Sequence, residues 1–278
     1  MALYSERGIG LLYLLLILLI GGLGLLIYGW WDSGRFAVRR TTIQLDRLPK
    51  AFDGFTILQV SDLHNRAYGR DGKELIRVME GLPFDVVAVT GDLLDRHRPD
   101  RRENGYAFAK AAACLDPTFF VQGNHEWRID DWPSIKAELM KRGVRVLENE
   151  AVSLERDGAR IEIIGCMEKV TGETLQSLAS ADTCSVLLAH HPERIMDYAR
   201  AGVDLALSGH AHGGQVRLFG HGLFSPDQGI LPRYTSGVYV QGNTRLYVSR
   251  GAGNHSFLPP RIFNRPEIDL ITLKTPSR

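Results

Sequence analysis

Short apolar runs rich in β-branched residues recur through the chain, and helix-compatible stretches separate most of them. The runs are FTILQV (55–60), FDVVAV (84–89), PTFFVQ (117–122), IEIIGC (161–166), SVLLA (185–189) and VDLALS (203–208). Continuous apolar runs of this length are typical of strands that are covered on both faces. Because such strands alternate with helices, the sequence predicts a layered α/β domain.

The segments between and after these runs predict the remaining elements. Four stretches are helix-compatible, GKELIRVMEGL, GYAFAKAAACL, SIKAELMKRG and PERIMDYARAG. The last two end at Gly143 and Gly202, and glycine commonly follows a helix C-terminus. FAVRRTTIQL (36–45) predicts a first strand. In the C-terminal third, QVRLFG, GVYVQGNTRLYVS and EIDLITL predict antiparallel strands in a second sheet that packs on the first.

The N-terminal segment GIGLLYLLLILLIGGLGLLIYGWW, Gly8 to Trp31, carries no charge and is long enough to cross a hydrocarbon layer of ~30 Å as a helix. Its aromatic end suits the membrane interface, whereas a cleaved signal peptide, the alternative, has a shorter apolar core and a small-residue cleavage site. We therefore divide the chain into a membrane anchor (1–31), a connector with the first strand (32–54) and one domain (55–278).

The distribution of basic residues around this single-pass anchor predicts its orientation. Arg35, Arg39 and Arg40 outweigh Arg7, which favours a cytoplasmic domain, although a long domain can be translocated regardless of such charges. Over the whole chain, 33 Lys and Arg residues against 32 Asp and Glu residues give a net charge of +1. No broad basic field exists, so a nucleic acid is not expected as a dedicated partner.

The three cysteines, Cys114, Cys166 and Cys184, are an odd number without a Cys-x-x-Cys spacing. They therefore predict neither a zinc knuckle nor a full disulfide set, and we expect them to be reduced and buried.

Polar side chains follow five of the apolar runs, directly where each predicted strand ends. They are Asp62 and His64, Asp92, Asn124 and His125, His190 and His191, and His210 and His212. Ligands of α/β sheets bind outside the carboxyl ends of the strands, so these side chains are expected to meet at one rim.

The donors in this set are carboxylate, amide oxygen and imidazole, which suit divalent Mn, Zn, Fe or Co rather than a cysteine-rich structural zinc site. Their number exceeds the needs of one tetrahedral ion and predicts two ions, ~3.5–4 Å apart, that share a carboxylate. In an extended segment, His210 and His212 would point to the same side and each face one ion. Gly213 and Gly214 would then let the backbone turn away.

The blocks SDLH, TGD, GNHE, LLAHHP and SGHAHGGQ, in this order, resemble the calcineurin-like metallophosphoesterases. The resemblance extends from Phe55 to the C-terminus and is strongest to a bacterial membrane-associated branch, marked by Gly-Gly-Gln and by the closing segment LYVSRGAGNHSFLPPRIFNRPEIDLITL. It implies two mixed β-sheets that pack as a sandwich flanked by helices. The branch includes phosphodiesterases and UDP-diacylglucosamine hydrolases, which cleave a lipid-linked pyrophosphate.

Carried over to this chain, the resemblance implies particular roles for the clustered residues. One ion would be held by Asp62, His64 and His212. The other would be held by Asn124, His190 and His210. Asp92 would bridge the two ions, and His125 would stabilise phosphoryl charge or protonate the leaving oxygen. A metal-bridging hydroxide would attack a phosphodiester, pyrophosphate or phosphomonoester bond.

Several residues near these blocks leave alternatives open. His191 competes with His190, and strand alternation favours His190 as the ligand. Asn65 either contacts substrate phosphate or forms a turn. Glu126 is interpreted as a loop residue rather than a ligand. Ordinary structural roles are expected for His221 and His255.

Two loops carry further alternatives. Asp95, Asp100 and the basic segment 96–102 are interpreted as a solvated loop, with steering of phosphate as the alternative. The segment 218–234 mixes apolar residues with glycine and proline. It either contacts lipid on the substrate side or packs on the second sheet.

Two other functions compete with phosphoester hydrolysis. A catalytically silent membrane-bound scaffold would keep the fold, but every expected ligand is present. A dimetal hydrolase of amide or lactam bonds is compatible with the ligand chemistry, but its His-x-His-x-Asp-His block is missing. The natural substrate and the oligomeric state are not encoded in these motifs.

Overall fold

The computed structural model describes residues 2–254 and 260–276, and His255 lies outside the described residues. Its helices are α1 (Ala2–Ser33), α2 (Glu74–Glu80), α3 (Arg102–Leu115), α4 (Asn124–Trp127), α5 (Trp132–Lys141), α6 (Gly172–Leu178) and α7 (Ile195–Ala201). Its strands are β1 (Ala37–Gln44), β2 (Thr56–Val60), β3 (Val86–Thr90), β4 (Thr118–Val121), β5 (Arg145–Val146), β6 (Glu150–Arg156), β7 (Ala159–Gly165), β8 (Ser185–Leu188), β9 (Leu205–Ser208), β10 (Arg217–Leu218), β11 (His221–Gly222), β12 (Phe224–Ser225), β13 (Gly229–Ile230), β14 (Gly237–Gln241), β15 (Thr244–Val248) and β16 (Glu267–Lys274).

Two six-stranded mixed sheets contain most of these strands. The first sheet has the order β1-β16-β2-β3-β4-β5, and the second has the order β14-β15-β9-β8-β7-β6. In the first sheet, β2, β3, β4 and β5 are parallel neighbours. In the second sheet, β7, β8, β9 and β15 are parallel neighbours. The remaining strands form two short ladders, β10 with β11 and β12 with β13.

The strands are apolar on both faces because each sheet packs against the other sheet on one face and against helices on the other. Along β3, Val86 and Ala88 belong to the core between the two sheets, whereas Val87 and Val89 pack in a second core that includes residues of α3 and α5. The second sheet repeats this alternation, and its outer core includes residues of α6 and α7. The side-chain period of two therefore places both faces of each strand in apolar surroundings. The result is a helix-sheet-sheet-helix arrangement, which confirms the predicted sandwich.

The C-terminal strands do not form the separate sheet that the sequence predicts. β14 and β15 form an antiparallel hairpin, and β15 adds to the second sheet beside β9. β16 returns to the first sheet, where it lies parallel to β1 and antiparallel to β2. Of the predicted strand QVRLFG, only Arg217–Leu218 is a strand. The predicted antiparallel hairpin in the second sheet is confirmed for GVYVQGNTRLYVS, but the placement of EIDLITL is wrong, because β16 pairs with strands distant in the chain and local patterning does not encode such pairing.

The helix α1 carries the segment Gly8–Ser33, 26 residues with a mean hydropathy of 2.7, and its residues 8–27 are exposed. By length and composition it can cross a membrane. Its C-terminal end packs on the globular part: a Cβ atom at Gly29 would lie 2.8 Å from the carbonyl oxygen of Arg261 and 3.1 Å from Ile262 Cγ1. The helix end and the residues 260–262 are thus in close contact.

The described structure contains no disulfide, because all three cysteines are free. Cys166 and Cys184 are buried, and burial raises the pKa of the Cys166 thiol to about 12. Cys114 is exposed, so the expectation that all three are buried is wrong for this residue. It lies on the helix α3, whose buried residues are Gly105, Phe108, Ala109 and Ala112.

Leu205→Ala tests the core between the sheets. Leu205 is fully buried in that core, so the substitution should lower the free energy of unfolding by about 2–5 kcal/mol. The matched control is Val240→Ala on the same sheet, where the side chain is 59% exposed. It should change stability by less than about 1 kcal/mol. Denaturant unfolding of the full-length protein in detergent, followed by circular dichroism, measures both. Equal losses in the two variants would contradict the assignment of the core.

Candidate metal centre

The carboxyl ends of five strands from both sheets meet at one edge of the sandwich. The loops after β2, β3 and β4 bring residues from the first sheet, and the loops after β8 and β9 bring residues from the second. The side chains predicted as ligands lie in these loops or, for Asn124, at the start of α4; they are Asp62, His64, Asp92, Asn124, His190, His210 and His212. Short distances between their side chains show that the structure brings them into one neighbourhood.

Backbone strain is concentrated in these loops. Asp62, His64, Asp92, His210 and His212 all have left-handed backbone conformations, with φ between 46° and 65°. Residues other than glycine adopt this region at a cost of about 1–3 kcal/mol each, and they do so mostly at functional sites. The strain therefore indicates that contacts with the surrounding fold hold the rim of the sandwich in this conformation, as is common at functional sites.

The expectation that His210 and His212 lie in an extended segment is wrong. The segment is not extended, because both histidines are left-handed and a tight turn spans 212–214. Gly213 also has a positive φ of 64°, and a Cβ atom there would overlap the side chain of Asn264. Asn264 Nδ2 donates to the carbonyl oxygen of His212 at 2.7 Å. The glycine therefore allows Asn264 to hold the turn that carries His212.

A first cluster contains Asp62, His64 and His212, whose ligand atoms all lie within 4.8 Å of one another. The two imidazole Nε2 atoms are 3.2 Å apart, and His212 Nε2 is 3.5 Å from Asp62 Oδ1. The cluster is buried, since none of the three residues is more than 5% exposed. Two imidazole nitrogens and a carboxylate oxygen thus converge on one point.

A second cluster contains Asp92, His190 and His210, again within 4.8 Å. His190 Nε2 lies 3.3 Å from Asp92 Oδ2 and 3.3 Å from Asn124 Oδ1. Asp92 faces both clusters, because the same Oδ2 atom is 3.8 Å from His64 Nε2. One carboxylate oxygen therefore connects the two groups.

The donor chemistry fits divalent cations. Among the described residues, neither Asp62 nor Asp92 forms an ion pair with a lysine or arginine. Burial raises the pKa of Asp62, whereas for Asp92 the neighbouring imidazoles outweigh burial and hold its pKa well below the usual range. Buried carboxylates that lack such partners are compensated by coordination of metal ions. The set of two carboxylates, an amide oxygen and four imidazoles suits Mn, Zn, Fe or Co.

His125 lies beside the first cluster. Its ring centroid is 4.6 Å from that of His64, and its Nδ1 atom is 3.2 Å from Asp95 Oδ1. Burial lowers the pKa of His125, but the carboxylates of Asp92 and Asp95 outweigh this effect and raise the pKa above its ordinary value. The interpretation of Asp95 as a solvated residue is wrong, because it is fully buried and contacts His125.

Glu126 holds the loop that carries Asp92. Its Oε2 atom accepts hydrogen bonds from the backbone nitrogens of Asp92 at 2.9 Å and Gly123 at 3.0 Å, and its Oε1 atom accepts one from Leu94 at 2.8 Å. Burial and the nearby Asp92 raise the pKa of Glu126 to about 7. The side chain thus contacts backbone rather than the clusters. This contact also completes a capping arrangement at the start of α4.

Arg261 is a functional neighbour that the sequence analysis missed. It is fully buried, and its Nη2 atom lies 3.0 Å from His212 Nδ1. Burial and the charge of Arg261 hold the pKa of His212 well below its ordinary value. Both effects disfavour the protonated imidazole, and the neutral imidazole is the form that binds metals. In the sequence, only the family resemblance of the closing segment, which contains Arg261, pointed to this region.

His190 rather than His191 faces Asp92, in agreement with the alternation in the sequence. His191 instead lies between two carboxylates, with Nε2 2.8 Å from Glu168 Oε1 and Nδ1 2.6 Å from Glu193 Oε1. Burial opposes protonation, but these hydrogen bonds outweigh it and raise the pKa of His191 to about 9. This residue therefore contributes positive charge beside the second cluster.

The segment 218–234 reaches the rim through one residue. Asp227 Oδ2 is 3.0 Å from His210 Nε2, and this contact lowers the pKa of Asp227 to about 2. The same segment exposes large apolar side chains, with Phe219 100% and Ile230 81% exposed. It therefore contacts the second cluster and presents apolar residues to the outside.

Asn65 is buried next to the first cluster and is only 2% exposed. Its amide nitrogen donates to the carbonyl oxygens of Arg98 at 3.0 Å and Asp95 at 3.4 Å. The backbone carbonyl oxygen of Asn65 accepts a hydrogen bond from Asn104 Nδ2 at 3.2 Å. These contacts tie the loop after β2 to the loop 95–98.

Comparison with known proteins gives this arrangement a family. The family model of calcineurin-like phosphoesterases matches residues 55–214. The chain is 34% identical over 245 residues to the uncharacterized metallophosphoesterase YkuE of Bacillus subtilis strain 168, an alignment that covers 84% of each protein. It is 30% identical to a bovine transmembrane protein with a metallophosphoesterase domain, over 86% of this chain and 57% of that protein.

A third relative is phosphodiesterase YaeI of Escherichia coli K12, which is 32% identical over 58% of this chain and 60% of that protein. These similarities agree with the sandwich fold and with the two clusters of metal-binding side chains. The chain therefore belongs to the calcineurin-like metallophosphoesterase family and is a metal-dependent phosphoester hydrolase.

Proposed function

We propose that the protein is a membrane-anchored phosphoesterase that uses two divalent ions to hydrolyse a phosphodiester, pyrophosphate or phosphomonoester bond. Asp62, His64 and His212 would hold one ion, and Asn124, His190 and His210 the other. The observation that carries this proposal is the position of Asp92, whose Oδ2 atom lies 3.8 Å from His64 Nε2 and 3.3 Å from His190 Nε2. A carboxylate that faces both clusters is suited to bridge two ions.

Two divalent ions held here would polarise the phosphoryl oxygens and lower the pKa of an attacking water. The protein keeps the ligands in place through its backbone. The amide of His210 donates to both carboxylate oxygens of Asp62 at 3.1 Å, and the amide of His125 donates to Asp92 Oδ1 at 2.8 Å. Ligands that are oriented before binding lose little freedom when the ions bind.

We assign to His125 the stabilisation of phosphoryl charge or the protonation of the leaving oxygen. Its imidazole lies beside His64 and is held at Nδ1 by the buried Asp95. A carboxylate that contacts one ring nitrogen fixes the orientation of the ring and supports its cationic form. Substrate phosphate bound at the first cluster would lie next to this ring.

The helix α1 supports the assignment to a membrane. It has the length and hydropathy of a spanning helix, and a bovine relative is named as a transmembrane protein. The excess of arginines after the helix favours a cytoplasmic position for the domain. Contacts of Asp227 with His210 and the exposed Phe219 make the segment 218–234 a candidate for contact with lipid beside the site.

Asp92→Asn tests the bridging position. The neutral amide cannot compensate two cations, so turnover of bis-(p-nitrophenyl) phosphate with Mn²⁺ should fall at least about a hundred-fold, and the bound metal should decrease. The matched control is Asp157→Asn, the same substitution at another left-handed position, φ 50°, in the exposed turn between β6 and β7. It should keep parental turnover. Metal content by mass spectrometry and circular dichroism accompany the assay, and full activity of Asp92→Asn would refute the bridge.

His125→Ala tests the residue beside the metal ligands. Loss of its proton donor or positive charge should lower kcat by about 10²–10⁴-fold while both ions stay bound, because its ring is not among the proposed ligands. His221→Ala, at an exposed position on β11, is the control and should keep parental kcat. A loss of bound metal in the first variant would show that His125 is a ligand instead.

A reporter fused after the C-terminus tests the orientation of the domain. Green fluorescent protein at this position should fluoresce and alkaline phosphatase should be inactive, because the flanking arginines favour a cytoplasmic domain. The opposite result would mean that the domain lies on the non-cytoplasmic side of the membrane. It would leave the assignment of the metal ligands unchanged.

A further inference from the structure

Another group of metal-ligating side chains lies beside the second cluster. It contains His191, Glu193, His210 and Asp227, whose ligand atoms all lie within 4.8 Å of one another. Of these four residues, only His210 also belongs to the second cluster. The other three, which we call the outer cluster, offer one imidazole and two carboxylates that the proposed function does not use.

Two parts of the chain form the outer cluster. His191 and Glu193 lie in the loop after β8, where Glu193 belongs to the short 3₁₀ turn Pro192–Arg194. Asp227 lies in the turn between the paired strands β12 and β13. A ligand bound by all three side chains would therefore connect the rim of the second sheet with the segment 218–234.

The distances within the outer cluster suit a single ion. His191 Nδ1 lies 2.6 Å from Glu193 Oε1 and 3.8 Å from Asp227 Oδ2. Ligand atoms that lie ~2.0–2.2 Å from one divalent ion are about 3–4 Å from one another. The three atoms can therefore coordinate one ion if Nδ1 and Oε1 move apart by less than about 1 Å.

Glu168 fixes the orientation of the His191 ring. Its Oε1 atom lies 2.8 Å from His191 Nε2, the ring nitrogen that does not face the outer cluster. Histidines that bind metals usually donate their other ring N–H to a carboxylate or a carbonyl group, which fixes the tautomer and directs the remaining nitrogen at the ion. The contact with Glu168 gives His191 this arrangement, with Nδ1 as the ligand atom.

The carboxylates of this region have little positive charge around them. Within the described residues, histidines are the only ion-pair partners of Glu168, Glu193 and Asp227. Glu168 Oε2 and Glu193 Oε2 are buried and have no hydrogen-bond partner in this part of the chain, and the Glu168 side chain is only 9% exposed. Buried carboxylates are normally paired, hydrogen-bonded or bound to metal ions. The two unpartnered oxygens therefore point to a cation.

An ion can reach the outer cluster from solvent. The side chain of Asp227 is 59% exposed, whereas that of His191 is only 12% exposed. The buried ligand keeps its position, and the exposed ligand leaves a path for entry, which a metal site requires.

We propose that His191, Glu193 and Asp227 bind a third divalent cation, Mn²⁺ or Zn²⁺, through the imidazole Nδ1 and two carboxylate oxygens, with Glu168 as a positioning residue. The ion takes the place of the proton between His191 Nδ1 and Glu193, and this proton is released to solvent. Because Asp227 Oδ2 is 3.0 Å from His210 Nε2, the ion also holds the segment 218–234 against the second cluster. The proposal goes beyond the proposed function, since its ligands differ from those of the two ions at the rim.

The metal content of the double variant Glu193→Gln/Asp227→Asn tests the outer cluster. Full-length protein in dodecyl maltoside is stripped with a chelator, dialysed against saturating Mn²⁺ and measured by inductively coupled plasma mass spectrometry. The parent should bind three ions per chain and the variant two. The matched control, Glu155→Gln/Asp157→Asn, makes the same changes at exposed positions on β6 and in the turn after it, and should bind three. A double variant with the ion content of the parent would overturn the proposal.

Two single variants give measurements that leave the contact of Asp227 with His210 in place. Glu193→Gln should weaken the binding of one Mn²⁺ ion by at least about ten-fold, because a carboxylate ligand becomes a neutral amide. Glu168→Gln should weaken the binding of the same ion by about 10–100-fold, the usual effect of removing a carboxylate that orients a metal-binding histidine. A role of Glu168 in packing alone would leave the Mn²⁺ affinity unchanged. Unchanged affinities in both variants would overturn the proposal.

The variant Asp92→Asn separates the third ion from the two ions of the proposed function. It should lose ions at the rim and keep the ion of the outer cluster, which does not include Asp92. Loss of every ion with an unchanged circular dichroism spectrum would overturn the proposal. A parent that binds only two ions and loses one of them in Glu193→Gln/Asp227→Asn would support the outer cluster and refute the assignment of two ions to the rim.

Hydrogen exchange tests the link to the segment 218–234. Addition of Mn²⁺ should slow exchange of the backbone amides in this segment by at least about two-fold in the parent, because the ion restrains local opening. The same addition should have no such effect in Glu193→Gln/Asp227→Asn. An equal response of the parent and the variant, measured by mass spectrometry, would overturn the proposed link.

Discussion

Two carboxylates buried without a lysine or arginine partner are the constraint on which the rest of the site depends. Asp62 and Asp92 are at most 1% exposed, and imidazoles and backbone amides are their main partners among the described residues. Taking such charges out of water costs several kcal/mol per ion in a protein, so the fold needs positive charge at this rim. The imidazoles compensate this charge unequally, because Asp92 and Asp62 outweigh burial and raise the pKa of His190, whereas burial and Arg261 lower the pKa of His212. A rim of buried carboxylates and imidazoles is suited to receive cations, and strained left-handed backbone of the kind seen in these loops is common at functional sites.

The residues that support the clusters are themselves charged and buried, and the sequence analysis found few of them. Glu126 closes the loop of Asp92 by accepting backbone hydrogen bonds, and Asp95 contacts His125. The convergence of the clustered side chains could be predicted because each one follows an apolar run and belongs to a recognisable block. The supporting residues could not, because Asp95 and Arg261 reach the site only through the path of their loops in the folded protein. A charged residue in a loop has the same local pattern whether it is solvated or buried.

The lack of a local signal for distant contacts also limits what the sequence predicts of the fold. The six apolar runs became strands, and Gly202 ends α7 in a left-handed conformation as expected. Their division between two sheets was implied by the family resemblance rather than by the runs, since strands that are apolar on both faces look alike in either sheet. The strand β16 lies between β1 and β2 although more than 200 residues separate it from both, and no local signal specifies such pairing. The convergence of His210 and His212 on the rim was predicted for a wrong reason, because a left-handed turn rather than an extended segment directs their side chains.

Arg261 connects the apolar helix with the metal centre. Its backbone nitrogen donates to Ser33 Oγ at 3.0 Å, at the end of α1, and its guanidinium Nη2 lies 3.0 Å from Nδ1 of His212. A flexible linker between α1 and the domain would leave the distance from the first cluster to the end of this helix undefined. Here one buried residue contacts both, so direct contacts set the position of the first cluster relative to the end of α1. The end of the apolar helix is in this sense part of the structure that supports the first cluster.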